Sequence, residues 1–211
     1  MEPTQSQKEL EPIYKPDTPA HSAAFQCYSW LQPVLFALTV LVIVSTFFGR
    51  LIGVDGDSMF PTLHDHDMLI LRSIGYTPKN GDVVVLAPPT FQHGTPIVKR
   101  VIATGGQEVN IDYHTEIDEV TGQPRTLATV EVNGQPLDEK YLGEPMRLTA
   151  DQFYGQYPIT VPEGHIFVLG DNRNESSDSR YPDIGMADER CVLGKAMWIL
   201  FPFQRFGGIA K

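Results

Sequence analysis

Three stretches of this chain carry residue types able to do covalent chemistry. The first is Gly56-Asp57-Ser58-Met59-Phe60-Pro61-Thr62-Leu63. Gly56 has no Cβ, so the backbone there can approach another group closely. Pro61 fixes the turn that follows. Such a segment holds the Ser58 hydroxyl at the lip of a groove, between Met59 and Phe60. A serine becomes a useful nucleophile only when a base takes its proton. Taken alone, the octapeptide reads as a serine capping a short helical turn. Two later stretches change that reading.

The second is Ile97-Val98-Lys99-Arg100-Val101-Ile102, which sets two cations in the middle of an apolar strand. Neighbouring strand residues point to opposite faces, so Lys99 and Arg100 diverge, and Lys99 shares a face with Ile97 and Val101. An ammonium among branched aliphatics loses hydration and its pKa falls. A neutral amine can then accept a proton as a general base. Arg100 cannot do this, because guanidinium does not deprotonate in proteins. The alternative is an edge-strand lysine whose head reaches water. The third stretch is Gly170-Asp171-Asn172-Arg173-Asn174-Glu175-Ser176-Ser177-Asp178-Ser179-Arg180, directly after the apolar run His165–Leu169. It supplies hydroxyls to orient an amine, and carboxylates to pair with Arg100 and Arg180. Asn174-Glu175-Ser176 also matches the glycosylation tripeptide.

The elements that must position these groups are strands. Met68–Leu71, Val83–Leu86 after the Asn80-Gly81-Asp82 turn, Ile97–Ala103, Thr129–Val132, His165–Leu169 and Val192–Leu200 are short apolar or alternating runs. Asn133-Gly134 is a hairpin turn signal. No helical periodicity of useful length follows residue 50. The polar stretch Asp112–Arg125 reads as an exposed insertion. Met197–Phe203 is apolar but too short to span a bilayer and reads as a terminal core strand; an apolar rim resting on a membrane is its other reading. The fold class is therefore mainly β: an antiparallel, barrel-like domain over residues 50–211.

Upstream, Leu31–Phe48 gives 18 residues without a charge. As a helix it spans roughly 27 Å, close to a bilayer's hydrocarbon core. Trp30 and Phe47-Phe48 resemble interfacial anchors, and Pro33 falls in the first turn of that span. A single transmembrane anchor is expected over residues 25–49, after a disordered polar tail over 1–24. A cleaved secretory signal would have a short basic leader and a small-x-small exit; this leader is long and acidic, and Phe47-Phe48 occupies the exit. Lys8 and Lys15 on one side and Arg50 on the other barely decide orientation.

The net charge of −10 argues against nucleic acid as a partner. Cys27 and Cys191 flank the apolar run, so a spanning helix would keep them from bonding within the chain. His64-Asp65-His66 reads as a solvated turn, since no further ligands recur at metal-site spacing. No metal and no cofactor are expected.

Taken in order, Ser58, Lys99 and the Gly170–Arg180 run resemble signal peptidase I, a membrane-anchored serine endopeptidase family that removes signal peptides from exported proteins. Gly81-Asp82-Val-Val-Val is similar to a short strand motif of that family, and Val192-Leu-Gly-Lys-Ala196 to its closing strand. The resemblance runs from the apolar segment to Lys195. It implies Ser58 as nucleophile and Lys99 as general base, with Ser176 hydrogen-bonded to the Lys99 amine. It implies that Asp178 and Arg180 pair to brace the site and that Arg100 anchors the loop on Asp171 or Asp178. Gly56, Asp57 and Met59 would belong to the oxyanion hole and substrate groove. The implied fold is mostly β with an extended β insertion. The implied partners are preprotein signal peptides, cut after small-x-small sequences, and the lipid bilayer. The implied location is the plasma membrane, single-pass, with the N-terminus cytoplasmic and the catalytic domain on the outer face.

Two departures stand out. Some family members carry a serine two positions before the nucleophile, where this chain has Gly56. Many continue the base strand with Gly-Leu-Pro-Gly-Asp, where this chain has Ala103-Thr104-Gly105-Gly106-Gln107. Three other classes compete. A self-cleaving repressor would carry a DNA-binding domain. A tethered β binding module would need neither Lys99 in an apolar strand nor the polar loop. An inactive family member would lack one of Ser58, Lys99, Ser176 or Asp178, and all four are present.

Overall fold

The computed structural model describes residues 23–48, 50–118, 121–147 and 157–209. The chain divides between Ile43 and Val44 into two compact units. The first carries most of helix α1 (Ala23–Phe48), 26 residues with Pro33 inside it. The helix begins at Ala23, eight residues before Leu31, so Pro33 lies in its interior rather than in the first turn. Side chains from Tyr28 to Ile43 are exposed. Among the described residues, no helix is long and apolar enough to cross a membrane. The tail expected over 1–24 falls almost wholly outside the described residues.

The second unit is β. Its strands are β1 (Arg50–Gly53), β2 (Met68–Arg72), β3 (Val83–Leu86), β4 (Ile97–Thr104), β5 (Glu108–Ile117), β6 (Pro124–Val132), β7 (Gln135–Pro136), β8 (Ile159–Thr160), β9 (His165–Leu169), β10 (Ala187–Asp188), β11 (Val192–Phe201) and β12 (Gly207–Gly208). Eight form one antiparallel sheet in the order β1-β2-β11-β3-β4-β9-β10, with β12 on β11. Register shifts interrupt β4 between Val101 and Ala103, and β11 at three places. Such bulges bend and twist a strand, and the order of this sheet begins at β1 and ends at β10. The other four form a sheet in the order β7-β6-β5-β8.

The polar stretch Asp112–Arg125, read as an exposed insertion, is mostly exposed in its described residues. It is the outer half of the β5–β6 hairpin, in unbroken register from Val109↔Val132 to Ile117↔Pro124. Its outer residues are largely exposed while Ile111 and Leu127 are buried, and that mixture hides the alternation a half-buried strand should show. At Asn133 and Gly134 φ is 52° and 71°, the left-handed pair that a tight hairpin turn requires. Met197–Phe203 is only partly core: Ile199 is buried, while Trp198, Phe201 and Phe203 are exposed.

Strand β4 sits between β3 and β9 and has both faces covered. Every residue from Val98 to Ala103 is buried, the two cations included. Val83, Val85 and Val98 pack on one side with Met59, Leu63, Leu69 and Leu71. Val84, Leu86 and Val101 pack on the other with Ile166 and Val168. Lys99 pairs with Val84 and Arg100 with Val83. The sheet therefore carries Lys99 into a dry interior by construction.

Candidate active site

The segment between β1 and β2 is a closed loop. Val54 N–H donates to Asp67 O at 2.8 Å and His66 N–H to Val54 O at 3.0 Å. Inside it, Phe60 N–H reaches Asp57 O and Leu63 N–H reaches Met59 O, making one tight turn just after Ser58. Gly56 has a φ of +85°, which favours glycine, and its N–H donates to Asp65 Oδ1 at 2.9 Å. The Gly56 amide is thus committed to the turn. Met59 is only 1% exposed and packs in the core beneath the turn; Phe60, at 45%, is the exposed apolar neighbour. Packing decides between them, since the turn drives alternate side chains to opposite sides.

Lys99 Nζ stands 2.6 Å from Ser58 Oγ. Lys99 is 3% exposed and Ser58 is partly exposed. Burial pulls the Lys99 amine from 10.5 down to about 8; Asp178 and Asp171 oppose this, and the Arg180 charge adds to it. Both carboxylates are engaged elsewhere. Arg100 Nε donates to Asp171 Oδ1 at 2.8 Å and Nη2 to Oδ2 at 2.7 Å. Arg180 Nε donates to Asp178 Oδ1 at 2.8 Å and Nη2 to Oδ2 at 2.9 Å. Two-point pairs of this kind hold geometry as well as charge. Each carboxylate is shared with its own guanidinium, so its pull on the Lys99 ammonium is smaller than the cost of burial, and desolvation prevails.

The Gly170–Arg180 loop closes over this pair. Gly170 N–H donates to Asp178 Oδ2 at 3.0 Å, and Asn172 N–H donates to Ser58 O at 3.0 Å. Asn172 Nδ2 also reaches Asp57 O at 3.2 Å. The Ser176 side chain is buried, but its Oγ makes no hydrogen bond, so the expected bond to the Lys99 amine is not formed. The amine donates to Ser58 Oγ instead. A Cβ on Gly170 would lie 2.5 Å from both Ser58 O and Ser176 Cβ. Only glycine lets the loop approach Ser58 so closely. Gly170→Ala should lower kcat/KM by about a hundredfold, the scale of an ångström-sized misplacement. Peptide turnover checks it, with a thermal melt as control; near-normal turnover would mean that the approach is not needed.

Several residues in this arrangement escaped the sequence reading. Thr62 Oγ1 donates to Asp171 Oδ2 at 2.5 Å. The Arg100 guanidinium lies 4.0 Å from the Tyr141 ring centroid. Arg173, fully buried, pairs with Glu139 and donates to Tyr141 OH at 3.1 Å and Gly170 O at 3.1 Å. Arg205 donates to Thr62 O at 3.1 Å and pairs with buried Asp67 at 3.2 Å. Thr62, Asn172 and Arg173 sit inside the motifs themselves. Glu139, Tyr141 and Arg205 are remote in the chain, and nothing local marks them.

With this geometry in hand, the chain was compared with known proteins. The family model described as "Signal peptidase, peptidase S26" matches residues 27–201. A probable signal peptidase I-1 from Synechocystis is 32% identical over 189 residues, covering 85% of each chain. A signal peptidase I from Bacillus licheniformis is 31% identical over 188 residues, covering 84% of this chain and 90% of that one. A solved signal peptidase I from Enterococcus faecalis is 29% identical, with a TM-score of 0.39, over 58% of this chain and 98% of that one.

Proposed function

We propose, for a chain that belongs to the signal peptidase family, peptidase S26, that Ser58 and Lys99 form a two-residue acyl-transfer centre that removes signal peptides from preproteins. The family is one of serine peptidases. One observation carries the assignment of roles: a buried amine lies 2.6 Å from a partly exposed hydroxyl. While Lys99 is charged it donates to the hydroxyl. Once neutral it accepts the hydroxyl proton.

Neutral Lys99 takes that proton as Ser58 Oγ bonds to the scissile carbonyl carbon. The carbonyl oxygen becomes an oxyanion, and the backbone N–H of Ser58 is the donor offered to it. Lys99 then returns the proton to the leaving amine as the C–N bond breaks, leaving an ester on Ser58. Water, losing a proton to Lys99, attacks the ester; as the bond to Ser58 Oγ breaks, Lys99 returns that proton to Oγ and the new C-terminus is freed. No third residue supplies basicity, because desolvation already lowers the amine. Asp171, Asp178, Arg100 and Arg180 position the pair without touching the reacting atoms.

The finer reading extends to the substrate and the location. Cleavage after small-x-small sequences suits a groove beside Ser58 with Met59 beneath it, the substrate strand adding to a sheet edge. Residues 25–49 anchor the chain in the plasma membrane, with the N-terminus cytoplasmic and the β unit on the outer face. The uncharged apolar run and the exposed apolar side chains of α1 support this. Incubating the detergent-solubilised full chain with a preprotein tests the activity. Mature product is expected, with kcat/KM rising about tenfold per pH unit below pH 8 and levelling above it, since the deprotonated base is the active form. No product, or no such limb, overturns the reading.

A further inference from the structure

The peptide unit before Ser58 carries the N–H offered to the oxyanion, and the unit after it helps set where Oγ points. Asn172 holds both. Its Nδ2 donates to Asp57 O at 3.2 Å, and its main-chain N–H donates to Ser58 O at 3.0 Å. A planar, trans peptide aims its C=O and its N–H in opposite directions. A donor fixed on Asp57 O therefore fixes the direction of Ser58 N–H. That N–H makes no hydrogen bond among the described residues, so it is open to a substrate.

Phe60 N–H donates to the same Asp57 O at 3.0 Å. Two donors on one carbonyl polarise the peptide, and a polarised peptide has a stronger N–H donor. The strength and aim of this one group matter here because residue 56 brings no hydroxyl, and the Gly56 N–H is taken by Asp65 Oδ1.

Asn172 also stands at the N-cap of the 3₁₀ turn Arg173–Glu175. An asparagine there ordinarily accepts a main-chain N–H of the turn. This one makes no such bond; its carboxamide is turned to the nucleophile segment instead. Asp57 O can only accept, so the position calls for a donor. Asparagine supplies one, and an ionised aspartate, an equally good cap, does not.

We propose that Asn172 is a positioning residue for the oxyanion: its side chain orients and polarises the peptide between Asp57 and Ser58, so that Ser58 N–H meets the reacting carbonyl oxygen. The proposal rests on the acyl-transfer reading above. Asn172 touches no reacting atom and acts through the peptide it holds.

The test uses the detergent-solubilised full chain, a peptide substrate and a peptide aldehyde labelled with carbon-13 at its carbonyl. The Ser58 O–H adds across the aldehyde C=O to give a hemiacetal, whose hydroxyl ionises to an oxyanion in the same place; the carbon-13 shift against pH reads that ionisation. Asn172→Ala should lower kcat by about tenfold or more, short of the roughly hundredfold or larger loss from deleting an oxyanion donor outright, and leave KM within about twofold. The hemiacetal should ionise about one pH unit higher, which is the same tenfold. The rising limb of activity below pH 8 should stay in place, since the groups that set the Lys99 pKa do not include Asn172. Asn172→Asp keeps the shape and the capping ability and should lose at least as much activity. Near-normal kcat in the aspartate variant would reduce Asn172 to a cap and overturn the proposal. So would a fall in kcat with the hemiacetal ionisation unmoved, which would place the defect in a loosened loop. An unaltered chain that neither cleaves the peptide nor forms the adduct would instead overturn the acyl-transfer reading beneath it.

Discussion

Replacing Lys99 with methionine should abolish cleavage and, at neutral pH, make the protein more stable. The first effect follows from the proposed mechanism. Without the base, the Ser58 proton has nowhere to go, and kcat/KM should fall by about ten-thousandfold or more. Ser58→Ala should cost the same, and the double variant no more, because residues acting as a unit are not additive. The second effect follows from where the amine sits. Burial lowers Lys99 from 10.5 to about 8. Between those values the unfolded chain binds the proton and the folded one does not, so stability rises with pH there. Below about pH 8 the whole cost of burying the amine is present, about 3 kcal/mol. Methionine fills similar space with no charge. Its gain should reach about 3 kcal/mol at pH 7, roughly 5–10 °C in Tm, and vanish above pH 10.5. Melting curves of the two proteins at pH 7 and pH 10.5 measure it. An unchanged Tm at pH 7, or an equal gain at both, would show that the amine is not held at that cost.

Asp178→Ala should act in the opposite direction on stability. The Asp178 and Arg180 side chains are 0% and 1% exposed. Deleting the carboxylate strands a buried guanidinium, whose remaining acceptors include Arg173 O at 2.6 Å and Ser176 O at 3.4 Å. Gly170 N–H also loses its partner. Breaking a buried pair on one side costs about 3–5 kcal/mol, and denaturant titration should read that loss. By contrast, Asp138→Ala removes only an exposed partner of Lys140, and should leave the unfolding midpoint close to unchanged. The site should also respond. Asp178 holds the Lys99 pKa up, and Arg180 holds it down. Without Asp178 the rising limb of activity below pH 8 should move to lower pH, even as the maximal rate falls through the loosened loop. A limb that stays in place, with a loss below about 1 kcal/mol, would show that the pair neither braces the fold nor tunes the base.

Much of this was legible one residue at a time. The serine turn, the lysine in its apolar strand and the polar loop stand out because chemistry in each departs from its local background. Val83–Leu86 and His165–Leu169 could be bounded to the residue, since a strand covered on both faces reads as an unbroken apolar run. The hairpin β5–β6 was harder. Its outer half projects from the core, so solvent rather than packing selected its side chains, and pairing between strands does not require an apolar alternation. The helix expected over residues 25–49 and α1 at Ala23–Phe48 differ by two residues at the start and one at the end.

The chain on its own established which groups are available: a hydroxyl after a tight glycine, an amine flanked by branched aliphatics, and carboxylates with arginines to match. Their residue types limit the chemistry to proton transfer and acyl transfer before any coordinates are consulted. Tertiary structure decided who meets whom. It placed Met59 in the core and Phe60 outside, gave Arg100 to Asp171, left Ser176 without the Lys99 bond, and brought Glu139, Tyr141 and Arg205 to the site from distant segments. The reason is that a residue's chemistry is covalent and local. Its pKa and its partners arise from dielectric and distance, which exist only once remote parts of the chain have packed together.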